Sequence, residues 1–146
     1  MIASIVVGSD GSDTAAVAVR AAAELAQSLG ARLHVVSAYR PLSGVRVAGA
    51  GADLERAEWA VSPTIEVDAM LAEIGATVRT MGVQPECHAR TGDPAEAIID
   101  VAEEEQADLI VVGSKGMHSS RRFLLGSVPD NISHHAPCSV LIVRTD

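Results

Sequence analysis

The chain has 146 residues, enough for one domain with a core of its own, and too few for a second. Hydrophobic residues make up 48% of it but aromatics only 2%, so the core must come from Val, Ile, Leu, Ala and Met, and base-stacking platforms for single-stranded nucleic acid are excluded. With 11 Lys and Arg against 19 Asp and Glu, the formal charge of −8 repels a phosphate backbone, so nucleic acid is not an expected partner.

The start, Met1-Ile2-Ala3-Ser4-Ile5, lacks a basic n-region and reaches Asp10 and Gly11 too soon for a signal peptide or membrane span, which makes the expected location cytoplasmic, with no membrane partner. Ser4 to Gly8 is a β-branched run that reads as a buried strand, with Asp10-Gly11-Ser12 as the turn after it. From Asp13 to Leu29, apolar residues at Ala15, Val19, Ala22, Ala26 and Leu29 share one helix face, and Gly30 stops the helix. Arg32 to Ala38 reads as a second strand. Residues 40 to 62 carry Gly44, Gly49 and Gly51 among small residues, and are expected to form an irregular surface excursion with room for a short helix.

Ser62-Pro63 opens the next expected helix, whose core stripe is Val67, Met70, Leu71, Ile74, Val78 and Met81, and Gly82 ends it. Gln84 to Arg90 is a weaker strand, confined by Pro85 to a sheet edge. Asp93-Pro94-Ala95-Glu96 combines an N-cap carboxylate, proline at the first helical position and glutamate at the third, and opens a helix to about Gln106, with Glu103-Glu104-Glu105 as its solvated face. Asp108 to Gly113 is continuously apolar after its first residue, as a strand covered on both faces must be. A last short helix begins near Ser127, where Ser127 and Asp130 resemble a capping box, and Ser139 to Val143 closes the chain as a strand.

Strands alternating with helices predict an α/β fold: a single doubly wound five-stranded parallel sheet, Rossmann-like, with right-handed crossovers and helices on both faces, spanning residues 1 to 146. Ligands of such sheets lie beyond the strand carboxyl ends where the winding direction switches, here at Gly8, Ala38 and Gly113. Glycine at two of these ends admits close backbone approach, although a tight turn also explains either one.

After Gly113 the chain reads Ser114-Lys115-Gly116, nine further residues, then Gly126-Ser127-Val128-Pro129. Free amides at a helix start attract phosphate, and glycines let a loop fold around it. Ser127 adds a hydroxyl, although an N-cap role explains it too. Between Ser114 and Gly126 stand Lys115, His118, Arg121 and Arg122 with no acidic residue, a local positive potential in an acidic chain. This Gly-x2-Gly-x9-Gly-Ser spacing resembles the ATP-binding branch of the universal stress proteins, and the resemblance runs over the whole chain, from the strand-Asp-Gly-Ser opening to the closing Ser-Val-Leu-Ile-Val strand.

The resemblance implies an adenine nucleotide alpha hydrolase-like fold and a regulatory, stress-response module that binds ATP or AMP, with cyclic AMP as the other candidate and Mg2+ accompanying ATP. It implies that Asp10 and Gly113 bind the ribose hydroxyls, that Val35 offers its backbone to the adenine edge, and that Ser9 lines the pocket. It assigns phosphate to Gly116, Gly126, Ser127 and Val128. No Gly-x4-Gly-Lys-Ser/Thr loop, Gly-x-Ser-x-Gly elbow or His-Glu-x-x-His helix occurs, so dedicated catalysis is not expected, the alternative being slow ATP hydrolysis or nucleotidyl transfer in the same pocket.

No metal site is expected. His134 and His135 sit at a helix C-terminus where the dipole favours them, and His34 and His88 read as strand residues. Cys87 and Cys138 lack metal-ligand spacing and read as reduced packing residues. The apolar run Val140 to Val143, uninterrupted by Lys or Pro, is expected at a sheet edge, where antiparallel pairing with a second copy would form a homodimer.

Overall fold

The computed structural model describes residues 1–40, 53–115 and 125–145, and within 53–63 the backbone only. Among the described residues, five strands run in chain order as β1 (Ser4–Gly8), β2 (Arg32–Tyr39), β3 (Pro85–Thr91), β4 (Leu109–Gly113) and β5 (Ser139–Val143). The helices between them are α1 (Asp13–Leu29), α2 (Asp53–Thr80), α3 (Pro94–Glu104) and α4 (Ser127–His135). All pairings are parallel, in the order β3-β2-β1-β4-β5. The doubly wound sheet expected from the β/α alternation is therefore present, with β3 and β5 at its edges.

The inner strands are buried on both faces, which is why β1 and β4 read as unbroken aliphatic runs. Ile5, Val7, Leu33, Val35, Leu109 and Val111 pack against α1 and α2 through Ala18, Ala22, Leu71 and Val78. Val6, Val36, Ile110 and Val112 pack on the opposite face against Ile98, Val101 and Ile132 of α3 and α4. Small alanines on α1 and α3 let both helices lie close to the sheet. Cutting Ile5 or Ile110 back to alanine would cost about 2–5 kcal/mol.

Local signals set most boundaries. The Ser12 hydroxyl caps α1 by accepting the Ala15 N–H, and Gly30 ends it in the left-handed conformation at φ 64°. Asp93 caps α3 by accepting the Glu96 N–H at 3.1 Å, one residue before Pro94. At the other pole, the Asp108 carboxylate accepts the Ala3 N–H at 2.8 Å and the Ser4 N–H at 3.1 Å, tying the entry to β4 onto the start of β1. These two backbone donors hold the Asp108 carboxyl below the usual aspartate range.

Three expectations are corrected. α2 begins at Asp53 rather than at Ser62-Pro63, so Pro63 is an interior residue. The stretch from Asp53 to Ala60 contains no glycine and is rich in Leu, Glu, Arg and Ala, and its helix propensity carries the helix upstream of the proline. Leu29 is 50% exposed rather than part of the α1 core stripe, while Ala18 and Ala23 are buried in it. Ser127 is the first residue of α4 and not its cap: Gly126 holds the N-cap position, with no side-chain cap bond. Of the irregular excursion expected over 40–62, residues 41–52 lie outside the described residues.

Candidate functional site

A cleft opens at the carboxyl ends of β1, β2 and β4, on the α3/α4 side of the sheet. The topology places it there, because the chain winds outward from β1 to β2 in one direction and from β1 to β4 in the other, leaving a crevice between the two sets of loops. One wall is apolar, made by Val36, Ala38, Ile98 and Val112. Another is the polar turn Ser9-Asp10, with Ser12 and Thr14 at the start of α1. The far end is formed by Gly113, Lys115 and the first turn of α4.

The glycines at the strand ends serve packing rather than an unusual backbone. A Cβ on Gly8 would fall 2.3 Å from Cδ1 of Ile98, and one on Gly113 would fall 2.9 Å from Cγ2 of Thr145. Neither has a left-handed φ, and a side chain at either position would require Ile98 or Thr145 to shift. Gly11 is different: its φ of 81° is required by the turn that carries Asp10 into α1.

In that turn the Gly11 N–H donates to Ser9 Oγ at 3.1 Å, and the Ser12 N–H donates to Asp10 Oδ1 at 2.9 Å. The Ser12 hydroxyl donates to the same oxygen. Asp10 thus has the ordinary role of a turn former, and only one of its oxygens is used. Among the described residues Oδ2 has no hydrogen-bond donor, and Asp10 lies on the cleft.

The far end of the cleft is built around Ser114. Its N–H donates to the Val143 carbonyl at 2.8 Å, its carbonyl accepts the Gly126 N–H at 2.9 Å, and its hydroxyl accepts the Thr145 N–H at 3.2 Å. One residue therefore joins the ends of β4 and β5 to the entry of α4. With Gly126 at the N-cap and Pro129 lacking an N–H, the Ser127 and Val128 amides are the open donors of the first turn, and among the described residues neither finds an acceptor. Both residues line the cleft, as does Lys115, so this end of it carries the partial positive charge of a helix start.

Of the residues singled out from the sequence, Ser9, Asp10, Gly113, Gly126, Ser127 and Val128 line this cleft together, as does Lys115. The Val35 side chain is fully buried in the α1/α2 core, which leaves only its backbone for a ligand, and its strand neighbours Val36 and Ala38 line the cleft. Gly116, His118, Arg121 and Arg122 lie outside the described residues. Sequence reading missed Ser12, Thr14, Pro94 and Ile98. The cap signals at Ser12 and at Asp93-Pro94 could have found three of them, since a helix start at a strand's carboxyl end faces the crevice.

Residues 1–144 match the sequence profile described as the Universal stress protein family. A universal stress protein of Mycobacterium tuberculosis is 37% identical over 142 residues, covering 97% of this chain and 95% of the relative. Among solved structures, a universal stress protein in complex with cAMP is similar at a TM-score of 0.75 and 31% identity, covering 99% of this chain and 98% of that one. The universal stress protein from Archaeoglobus fulgidus in complex with dAMP is similar at a TM-score of 0.70 and 29% identity, covering 97% and 98%.

Proposed function

The chain belongs to the universal stress protein family, and from that premise we propose that it binds an adenine nucleotide in the cleft as a regulatory module of the stress response, with ATP or AMP preferred to cyclic AMP. The observation that carries this reading is the pair of open amides at Ser127 and Val128, set beside Lys115 at one end of a cleft whose other wall is aliphatic. Amides and a cation suit phosphate, and Val36, Ala38 and Ile98 suit the flat apolar faces of a purine. The relatives in complex with cAMP and dAMP support the same class of ligand.

In this reading the free oxygen of Asp10 accepts a ribose hydroxyl close to Gly113, and Ser9 lines the sugar pocket. Val35 offers its backbone to the adenine edge, with Val36 and Ala38 on the apolar wall next to it. Gly126, Ser127 and Val128 hold the phosphates, and Gly116 joins them from the preceding loop. Mg2+ accompanies a triphosphate through the phosphate oxygens, its usual mode of binding beside nucleotides.

The assembly is a homodimer in which β5, an edge strand with Leu141 38% exposed, pairs with its copy across a two-fold axis. The protein acts in the cytoplasm; no helix among the described residues is long and apolar enough to cross a membrane. Denaturing the purified protein and identifying the released nucleotide tests the binding function. ATP or AMP is expected. Release of no nucleotide, together with no heat of binding for ATP, AMP or cyclic AMP, overturns it.

A further inference from the structure

At the opposite end of α3 from the cleft, four metal-ligating side chains converge. His34 on β2 and Glu86 on β3 are partners in the parallel register, and His88 follows two residues along on the same face. Glu105, just past the last turn of α3, reaches the same point. Sequence reading made Glu105 part of a solvated face; it is instead half-buried and directed at His34. One donor atom from each of the four side chains lies within 4.8 Å of all the others.

His34 is the centre of the group and is fully buried. Its Nδ1 is 3.0 Å from His88 Nε2 and 3.5 Å from Glu86 Oε2. Among the described residues its buried Nε2 has no hydrogen-bond partner, and Glu105 Oε2 is the facing atom at 3.9 Å. A hydrogen bond between the rings does not satisfy this arrangement. If Nδ1 of His34 donates to His88, the lone pair left on Nε2 faces a carboxylate; if it accepts, the Nε2 proton is left short of one. A cation shared by Nδ1 and His88 Nε2 removes the conflict, because it fixes the proton on Nε2 and aims it at Glu105.

We propose that His34 Nδ1, His88 Nε2 and the Glu86 carboxylate bind a divalent transition metal of the zinc class, with Glu105 orienting His34 through its Nε2 proton. Tetrahedral zinc at about 2.0–2.2 Å from nitrogen and oxygen ligands sets the donors about 3.4 Å apart. The His34 Nδ1 separations of 3.0 Å from His88 and 3.5 Å from Glu86 bracket that value. Imidazole with carboxylate favours zinc over magnesium or calcium, which take oxygen ligands. A carboxylate behind a ligating histidine is the usual support of such a site. Arg90, the neighbouring cation, is held away in a bidentate pair with Glu104 at 2.6 and 3.0 Å. Glu86, whose side chain is 62% exposed on the edge strand, gives the ion a path in.

The test is calorimetric titration of the EDTA-stripped full chain with zinc, followed by cobalt(II) absorption to read coordination. One zinc per chain is expected, with raised thermal stability and a cobalt spectrum of four-coordinate intensity. His88→Ala and Glu86→Gln should lose the site, and Glu105→Gln should weaken it about 10–100-fold. Cys87→Ser should leave it unchanged, since Cys87 turns to the other face and donates to the Leu71 carbonyl. Glu86→Gln alters an exposed side chain, so it reports on the site even where a histidine variant fails to fold. The same variant should bind adenine nucleotide normally, which separates this site from the cleft. No bound zinc at saturating metal, or equal affinity in the wild type, His88→Ala and Glu86→Gln, overturns the proposal.

Discussion

Asp10, on the cleft, accepts the Ser12 N–H at 2.9 Å through Oδ1, and among the described residues no donor reaches its Oδ2. One carboxylate therefore shapes the turn and faces the ligand, and the two roles separate by substitution. Asp10→Asn retains an acceptor for the Ser12 N–H, so stability should change by no more than about 0.5 kcal/mol, while adenosine and AMP both bind more weakly. Asp10→Ala should lose binding and also about 1 kcal/mol of stability. Calorimetry and thermal melts on both variants check this; unaltered adenosine affinity in Asp10→Asn would remove Asp10 from the ribose site.

Because Ser127 is not the cap of α4, its hydroxyl is available to a ligand. Ser127→Ala should leave the melting temperature unchanged and weaken phosphorylated ligands by about 1 kcal/mol, roughly fivefold, with adenosine unaffected. Titrating adenosine and AMP in parallel reads the difference, and equal losses on both would contradict a phosphate role.

Gly126 has φ −61° and ψ 165°, a conformation open to any residue. Gly126→Arg should therefore fold, as circular dichroism would report, and abolish nucleotide binding by filling the space beside the Ser127 and Val128 amides. Binding at wild-type affinity would place the phosphates elsewhere.

The Asp108 carboxyl, lowered by the Ala3 and then the Ser4 amide, gives the fold an acid-sensitive tie. Its folded pKa lies below the unfolded value of about 3.9, so the tie contributes fully above that value and is lost as pH falls through the folded pKa. Asp108→Asn should be less stable at pH 7 and show a flatter acid limb below about pH 4 in denaturant titrations. Parallel acid limbs in both proteins would show that the tie carries no charge-dependent stability.

Leu141 is 38% exposed on the edge strand β5. Leu141→Lys should give a folded monomer by light scattering, since a charge on an edge strand opposes pairing. An unchanged dimer would put the interface on another surface.

The sequence determined what depends on neighbours along the chain. Gly30 ends α1 because a left-handed residue is needed there, and Asp93-Pro94 starts α3 because the cap and the fixed proline φ act within one turn. The aliphatic runs gave the inner strands, and Gly113, Gly126 and Ser127 marked one end of the cleft. Pro63 misled, because the same residue that suits a first turn is here carried inside a helix by its upstream neighbours. Which face each strand residue takes was decided by the tertiary structure. In a strand covered on both sides, Val35 and Val36 are equally apolar, and only the packing of α1 and α3 sends the first into the core and leaves the second at the cleft. Likewise His34, Glu86, His88 and Glu105 are distant in sequence, and it is the β2–β3 register and the length of α3 that bring their donor atoms together. Backbone preferences are local and readable residue by residue, whereas side-chain proximity across a sheet exists only once the strands have paired.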